Sequence, residues 1–448
     1  MRITFRGGVH PKGHKDLSSE APLRPFNPGG EMVFPLSQHI GKPAKAVVKK
    51  NDPVLAGQVI GEADGFVSAN VICSCSGKVA AVEKRRTISG QLLECVVVEN
   101  DGQFTPAADY ETRRDLSNLT DRDILDAVKA AGIVGLGGAG FPTHVKLAPK
   151  NPDAIRYVIA NGAECEPYLT CNDQLMRTKA AEIVEGLELI LRLFPNAEGV
   201  IGIEKNKPQA IAAMEQAASG KKRISVRALE TKYPQGGEHN LIKVIVGADY
   251  PVKMLPADMG CIVDNVGTIY AIQRAVCYGE PLFTHVLTVT GEAIAKPGNF
   301  IVRDGTNVRE LLEECGGFRE DPKKVLAGGP MMGFALGSLE VPVVKTTNGL
   351  TCLVEDGVEL ARKRVTHCLG CGRCTTACPT GLLPGLMADA VRKGDYERYE
   401  KKLYGLECVA CGSCTYICPA NRPLTETFKR VKAEIMAQKR AAQAGGKK

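Results

Sequence analysis

The order of apolar and polar positions falls into successive textures along the chain. From the N-terminus to about residue 110, short apolar runs alternate with turn signals. In "AKAVVKKNDPVLAGQVIGEADGFVSANVICSCSGKVAAVEK" the runs are broken by N-D-P, A-G-Q, A-D-G and C-S-G. A compact all-β module is predicted there. The stretch "LSNLTDRDILDAVKAAGI" (116–133) switches to helical spacing, with Ile124, Ala127, Val128 and Ala131 on one face. Thr120 is placed to cap this helix, and Asp121 and Asp123 suit its first turn. A buried strand over 156–164, an amphipathic helix over 179–194, a strand over 198–206, a helix over 207–219 and a strand over 224–230 follow. Strand–helix alternation at this pitch predicts a parallel α/β sheet with ligands at the carboxyl ends of its strands. From about residue 284 two strands, a turn, a helix from Thr306 and further short strands predict a small α+β module. The last part, 360–440, mixes cysteine motifs with helical pieces at 383–403 and 424–441.

Composition sharpens this picture in a few places. With 448 residues, 44% hydrophobic and 24% charged, the chain reads as several ordinary globular domains. It has no Trp and only 5% aromatics, which argues against a base-stacking platform and hence against nucleic-acid partners. The net charge is +7, and the last twenty residues carry seven Lys/Arg and one Glu, a net +6. The excess is therefore a property of the tail, read either as a solvated helix end or as contact with an anionic lipid surface or acidic partner. No apolar stretch of roughly 18 residues suggests a membrane span, and "MRITFRGGVHPKGHK" lacks the apolar core of a signal peptide. Seventeen cysteines in such a chain point to a reducing compartment and to metal or redox work.

Eight of those cysteines form two copies of one pattern, "HCLGCGRCTTACPT" (367–380) and "ECVACGSCTYICPA" (407–420), each spaced C-x2-C-x2-C-x3-C-P. That is the spacing of two-cluster bacterial ferredoxins, in which the fourth cysteine serves the other cluster. Cys368, Cys371, Cys374 and Cys418 are then expected to hold one 4Fe–4S cluster, and Cys408, Cys411, Cys414 and Cys378 the second. Pro379 and Pro419 turn the chain away, and Gly370, Gly372 and Gly412 give the loops their backbone freedom. Zinc, the alternative, usually takes two C-x2-C pairs across a spacer. The longer helical insert between the motifs predicts a helical ferredoxin-like domain. Cys73 and Cys75, two apart on a presumed strand, share a face without a second pair and are read as structural. The remaining cysteines are mostly singletons, for which core burial is expected.

"GIVGLGGAGFPTHVKLAPK" (132–150) holds Gly135, Gly137, Gly138 and Gly140. Such a loop allows close backbone approach to a phosphate, although it lacks the G-x-G-x-x-G and Walker spacings. "GLGGAGFPTHVK" resembles the flavin-binding loop of the NADH-oxidising flavoprotein subunit of respiratory complex I, with His144 where that family has glycine. "ANGAECEPYLTCND" (160–173) resembles that family's N-A-D-E-S-E-P segment, with Ala163 in place of an aspartate. "NVGTI" (265–269) resembles its N-V-E-T segment, with Gly267 in place of a glutamate. The resemblance implies non-covalent FMN held by Gly135, Gly137, Gly138, Gly140, Lys146, Asn161, Glu164, Asn265 and Thr268. It further implies Phe141 stacked on the adenine of the dinucleotide and Glu166 in contact with NAD(H), while the glycine-flanked setting of Glu238 in "YPQGGEHN" gives that residue only a supporting role. Hydride transfer then runs through FMN and needs no catalytic side chain.

Taken whole, the order of modules resembles the RnfC family of the Rnf electron-transport complex, the membrane ferredoxin:NAD+ oxidoreductase. The implied architecture is multidomain α/β and α+β. A barrel-sandwich β module (1–112) is followed by a Rossmann-like FMN/NADH domain (113–280). A β-grasp module of the soluble-ligand-binding type (281–352) precedes a helical two-cluster ferredoxin domain with a basic tail (353–448). No acceptor lysine for biotin or lipoate is found in the first module, and no ligand residue stands out in the third. The implied activity is electron transfer between NAD(H) and ferredoxin-linked partners, with FMN converting electron pairs to single electrons. Implied partners are the other Rnf-type subunits, membrane-embedded ones and a ferredoxin-like iron–sulfur subunit among them. The implied location is peripheral, on the cytoplasmic face of the cell membrane. Two other readings share parts of the pattern: a flavin/iron–sulfur cobalamin reductase, and a non-catalytic electron-relay or docking scaffold.

Overall fold

A computed structural model describes residues 4–251 and 254–445. The N-terminal β module is a sandwich of two antiparallel sheets. One orders the strands Met32–Pro35, Leu92–Asn100, Gly77–Arg86 and Pro53–Val54; the other orders Lys45–Ala46, Val59–Glu62 and Val71–Ile72. Alternating inward residues, among them Met32, Phe34, Ile60, Val79, Val96 and Val98, fill the space between them. Cys73 and Cys75 are buried here with their sulfurs 3.9 Å apart, but they lie between strands and not on one. The hydroxyls of Ser74 and Ser76 explain this, because they bond outward to the Asp304 carbonyl and the Asp101 carboxylate.

The parallel sheet is present with four strands, in the order Ile224–Leu229, Glu198–Glu204, Tyr157–Gly162, Cys261–Asn265. The inner strands Glu198–Glu204 and Tyr157–Gly162 are largely apolar on both faces, as a sheet covered by helices on both sides requires, while the edge strand Ile224–Leu229 carries Ser225 and Arg227. Val158 and Ala160 face the layer of Asp121–Ala130, Ala180–Leu193 and Val266–Tyr278, while Ile159 faces the helix Glu238–Val246. Thr120 caps the first helix in a reciprocal box with Asp123.

The third unit is a six-stranded mixed sheet. Its order is Leu23–Pro25, Gly298–Arg303, Thr284–Thr290, Gly349–Leu353, Lys324–Ala327, Phe334–Ala335. The edge strand Leu23–Pro25 comes from the far N-terminus and pairs parallel with Asn299–Ile301. The helix expected from Thr306 starts at Val308 with Asn307 as its cap, since Thr306 is held in the preceding turn by the Arg303 carbonyl. The final unit packs the helices Pro384–Arg392 and Leu424–Gly445 about Met387, Tyr399, Phe428 and Val431. Within the basic tail, Lys432 donates to the Cys408 carbonyl and Lys439 pairs with Glu400; residues 446–448 lie outside the described residues. No helix among the described residues is long and apolar enough to cross a membrane.

Candidate functional site

In an open parallel sheet the ligand crevice forms where the winding direction reverses. Here that point lies between Tyr157–Gly162 and Cys261–Asn265, and Asn161 and Asn265 stand opposite each other at its carboxyl edge. The glycine loop arrives at the same point. The Leu136 N–H donates to Thr268 Oγ1 at 3.0 Å, and a Cβ on Gly137 would meet Asn265 Nδ2 at 2.7 Å. Gly137, Gly138 and Ala139 are exposed, with open space above Gly138. The loop's far end is fixed from outside the domain: the Gly140 carbonyl accepts from the Ile40 N–H, and Gly140, at φ +70°, lies against Thr346 and Gln38.

The other expected residues are drawn to the same edge, each with a protein partner. Asn265 caps the helix Val266–Tyr278 through Gly267 N–H. Asn161 donates to the Gly236 carbonyl at 2.9 Å. Lys146 donates to the Val263 carbonyl and to Asp264 at 2.9 Å. Burial opposes the Lys146 charge, but Asp264 outweighs it and raises the ammonium's pKa. Glu164, in the left-handed region at φ +46°, accepts the Asn172 and Asp173 N–H groups at a helix start. Burial raises its pKa against the pull of Lys15 and Lys207. Glu166 turns toward the loop 328–333, where its carboxylate accepts the Met331 and Met332 N–H groups, and burial pushes it up to about 7. Phe141 is half-buried, and its carbonyl closes the loop onto the Gly135 N–H.

Several buried polar atoms at this edge have no protein partner: Thr143 Oγ1, Asp264 Oδ2 and both amide atoms of Gln235. Together with the uncovered glycines, they leave hydrogen-bonding capacity of the kind a flavin phosphate and ring would take up.

The cysteine motifs separate into two environments. Cys378, Cys408, Cys411 and Cys414, the set expected from cross-ligation, line one pocket together with Leu382 and Phe428. Burial raises the pKa of Cys408, Cys411 and Cys414, and their mutual charge adds to it. Such a set fits a group that keeps its thiolates ionised. In the other set Cys368 and Cys371 are exposed and Cys374 and Cys418 half-buried. The Gly370 N–H, followed by Arg422, lowers the Cys368 pKa. The Thr366 N–H donates to the Ala420 carbonyl, which ties the Cys368 loop to the turn after Cys418. Gly370, Gly372 and Gly412 all have positive φ, at +65°, +70° and +85°. Among the described residues no three His, Cys, Asp or Glu converge on a single-ion site.

Matches to known families follow the same divisions. A barrel sandwich hybrid domain of RnfC matches residues 3–103 and the Nuo51 FMN-binding domain residues 128–274. An SLBB domain matches 286–335 and a 4Fe-4S dicluster domain 361–420. The RnfC-type component of the proton-translocating ferredoxin:NAD(+) oxidoreductase complex of Clostridium ljungdahlii is 41% identical, over 98% of this chain and 95% of its own. The Na(+)-translocating counterpart of Acetobacterium woodii is 43% identical over 98% of each. The chain belongs to the RnfC family. A chain of an NAD+-reducing [NiFe]-hydrogenase also aligns over 72% of this RnfC-family chain and 67% of its own, at TM-score 0.49 and 21% identity.

Sequence reasoning did not single out the residues that brace the site within this RnfC framework. Lys15 is half-buried and donates to the carbonyls of Glu164, Glu166 and Leu169. Lys207, buried beside Glu204, donates to the Ala163 carbonyl. Both stitch the turn in which Glu164 and Tyr168 take positive φ. Lys207 stands before a proline that opens a helix, which is its only local signal. Tyr233 is buried at 1% exposure and donates to the Cys411 carbonyl at 2.7 Å.

Proposed function

We propose that this chain exchanges electron pairs with NAD(H) at the sheet's switch point and single electrons through its two cysteine sets, as a peripheral component on the cytoplasmic side of an ion-translocating Rnf-type complex. Gly135, Gly137, Gly138, Gly140, Lys146, Asn161, Glu164, Asn265 and Thr268 would hold FMN, with Phe141 and Glu166 on the nucleotide side. When bound, FMN trades two electrons with a nicotinamide and one at a time with a cluster. Cys378, Cys408, Cys411 and Cys414 would hold the inner cluster, and Cys368, Cys371, Cys374 and Cys418 the outer one.

One observation carries this order. Asn161 at the switch point donates to the Gly236 carbonyl, and three residues earlier Tyr233 donates to the Cys411 carbonyl. The Tyr233–Gly236 segment therefore joins the crevice directly to the inner pocket. The Gly8 N–H bonded to the Ala377 carbonyl adds a second tie to that pocket. The outer set has no such link among the described residues. The test is FMN and iron per chain in the purified protein, with visible spectra before and after NADH. One FMN, eight irons and bleaching by NADH are expected; bound FMN that NADH leaves unbleached refutes the reading.

A further inference from the structure

The outer cysteine set lies on an unusual surface. Nearly every residue from Arg362 to Arg373 is exposed, Cys368 and Cys371 included. The segment holds Arg362, Lys363, Arg364 and Arg373 and no Asp or Glu. Lys363 is paired with Glu359, and Arg422 reaches Cys368. Among the described residues Arg362, Arg364 and Arg373 form no ion pair. Apolar side chains stand out between them: Leu369 is 65% exposed, Leu386 47% and Val365 46%. Gly385, beside Leu386, has a Cβ direction that ends 3.8 Å from Cys374 Sγ, so this apolar ground reaches the outer set itself.

Exposed leucines around a redox group raise the local apolar area, which usually marks an interaction site. Unpaired arginines around it supply a positive field that steers an oppositely charged partner and fixes its orientation. The inner set has the opposite setting, closed on the Val9 and Tyr233 side. With Cys368 and Cys371 exposed, the outer set is the more open of the two to another molecule.

We propose that Arg362, Arg364 and Arg373, with Val365, Leu369 and Leu386, form the docking face for a protein electron carrier whose own one-electron centre is ringed by Asp and Glu. This rests on the outer set being the one-electron terminus proposed above. The step moves one electron between the two centres: one cluster is oxidised by one unit, the partner's centre is reduced by one, or the reverse, and no proton or bond moves. The apolar residues exclude water between the centres, and the arginines bring the carrier up in one orientation.

The experiment uses the full-length protein reconstituted with FMN and iron–sulfur clusters. Its reduction by a chemically reduced acidic bacterial ferredoxin is followed by stopped flow over a range of salt. Wild type should react in a second-order step that slows steeply as salt rises. The charge-reversed triple variant Arg362→Glu, Arg364→Glu, Arg373→Glu should react about tenfold or more slowly at low salt and lose that salt dependence. EPR of both proteins establishes that both clusters are present. Hexaammineruthenium, a small cationic probe, should react at least as fast with the variant. A variant that keeps the wild-type ferredoxin rate and salt dependence overturns the proposal. So does a variant that keeps the ferredoxin rate but loses binding to phosphatidylserine vesicles, since the face would then serve a lipid surface. Bleaching of the wild type by NADH is read separately, so a failure of the flavin assignment is distinguishable from a failure of this face.

Discussion

The two cysteine motifs repeat one spacing in two settings. Both open a short helix from a glycine at positive φ, Gly372 before Arg373–Ala377 and Gly412 before Ser413–Tyr416. A Cβ on Gly372 would meet nothing within 4 Å, whereas one on Gly412 would lie 2.9 Å from the Met331 carbonyl. Cys371 is exposed, and its counterpart Cys411 is buried with its sulfur 3.4 Å from the Ser413 hydroxyl. Even where the first motif uses Gly370, the second keeps the left-handed conformation with Ala410 at φ +53°. The spacing thus sets the backbone, and the neighbours set the role. Two loops of one spacing are left exposed or buried according to what packs on them.

The largest expected effect comes from removing one ligand of each set. Cys408→Ser should abolish the inner cluster and stop NADH electrons from reaching the outer one. Cys368→Ser should lose the outer signal while NADH still reduces flavin and inner cluster. EPR of the NADH-reduced proteins separates these outcomes, and equal loss from both variants would break the comparison. Next come the paired glycines. Gly372→Ala should cost about 1–2 kcal/mol for its left-handed backbone alone. Gly412→Ala adds the clash with Met331 and should melt several degrees lower than Gly372→Ala.

A third test uses acidity. Burial raises the folded-state pKa of Glu166 from 4.5 to about 7. The folded state therefore binds this proton more tightly, and its stabilising contribution is complete below 4.5 and lost as pH rises through about 7. Glu166→Gln should flatten that part of the stability–pH curve measured by denaturant titration. The most local effect is expected from Tyr233→Phe, which leaves the Cys411 carbonyl without its donor. It should cost about 1–2 kcal/mol of stability and shift only the inner cluster's potential. An equal shift at the outer cluster would contradict the separation.

Periodicity and spacing made much of this visible in the sequence. The α/β alternation between residues 157 and 229 and the cap at Thr120 are local, and the structure has them where the pattern puts them. Cys378, Cys408, Cys411 and Cys414 line one pocket, a grouping that the cysteine spacing alone suggests. Other features depend on partners hundreds of residues away. Leu23–Pro25 reads as part of the first module, yet its ladder partner is Asn299–Ile301. Glu166 matches a nucleotide-contact motif, but its carboxylate is engaged by Met331 and Met332. Lys15 carries no local sign of its role, since its three acceptors are carbonyls and leave no side-chain signature.

The N-terminal segment has a kinetic consequence. Val9 pairs with Tyr233 and Gly8 with Ala377, Lys15 binds the 164–169 turn, and Leu23–Pro25 pairs with Asn299–Ile301. These residues leave the ribosome early, yet several of their partners emerge late, so the opening segment must wait through most of synthesis. Closing loops of that length is slow relative to local helix formation. Residues 8–25 therefore act as a late-fastening strap.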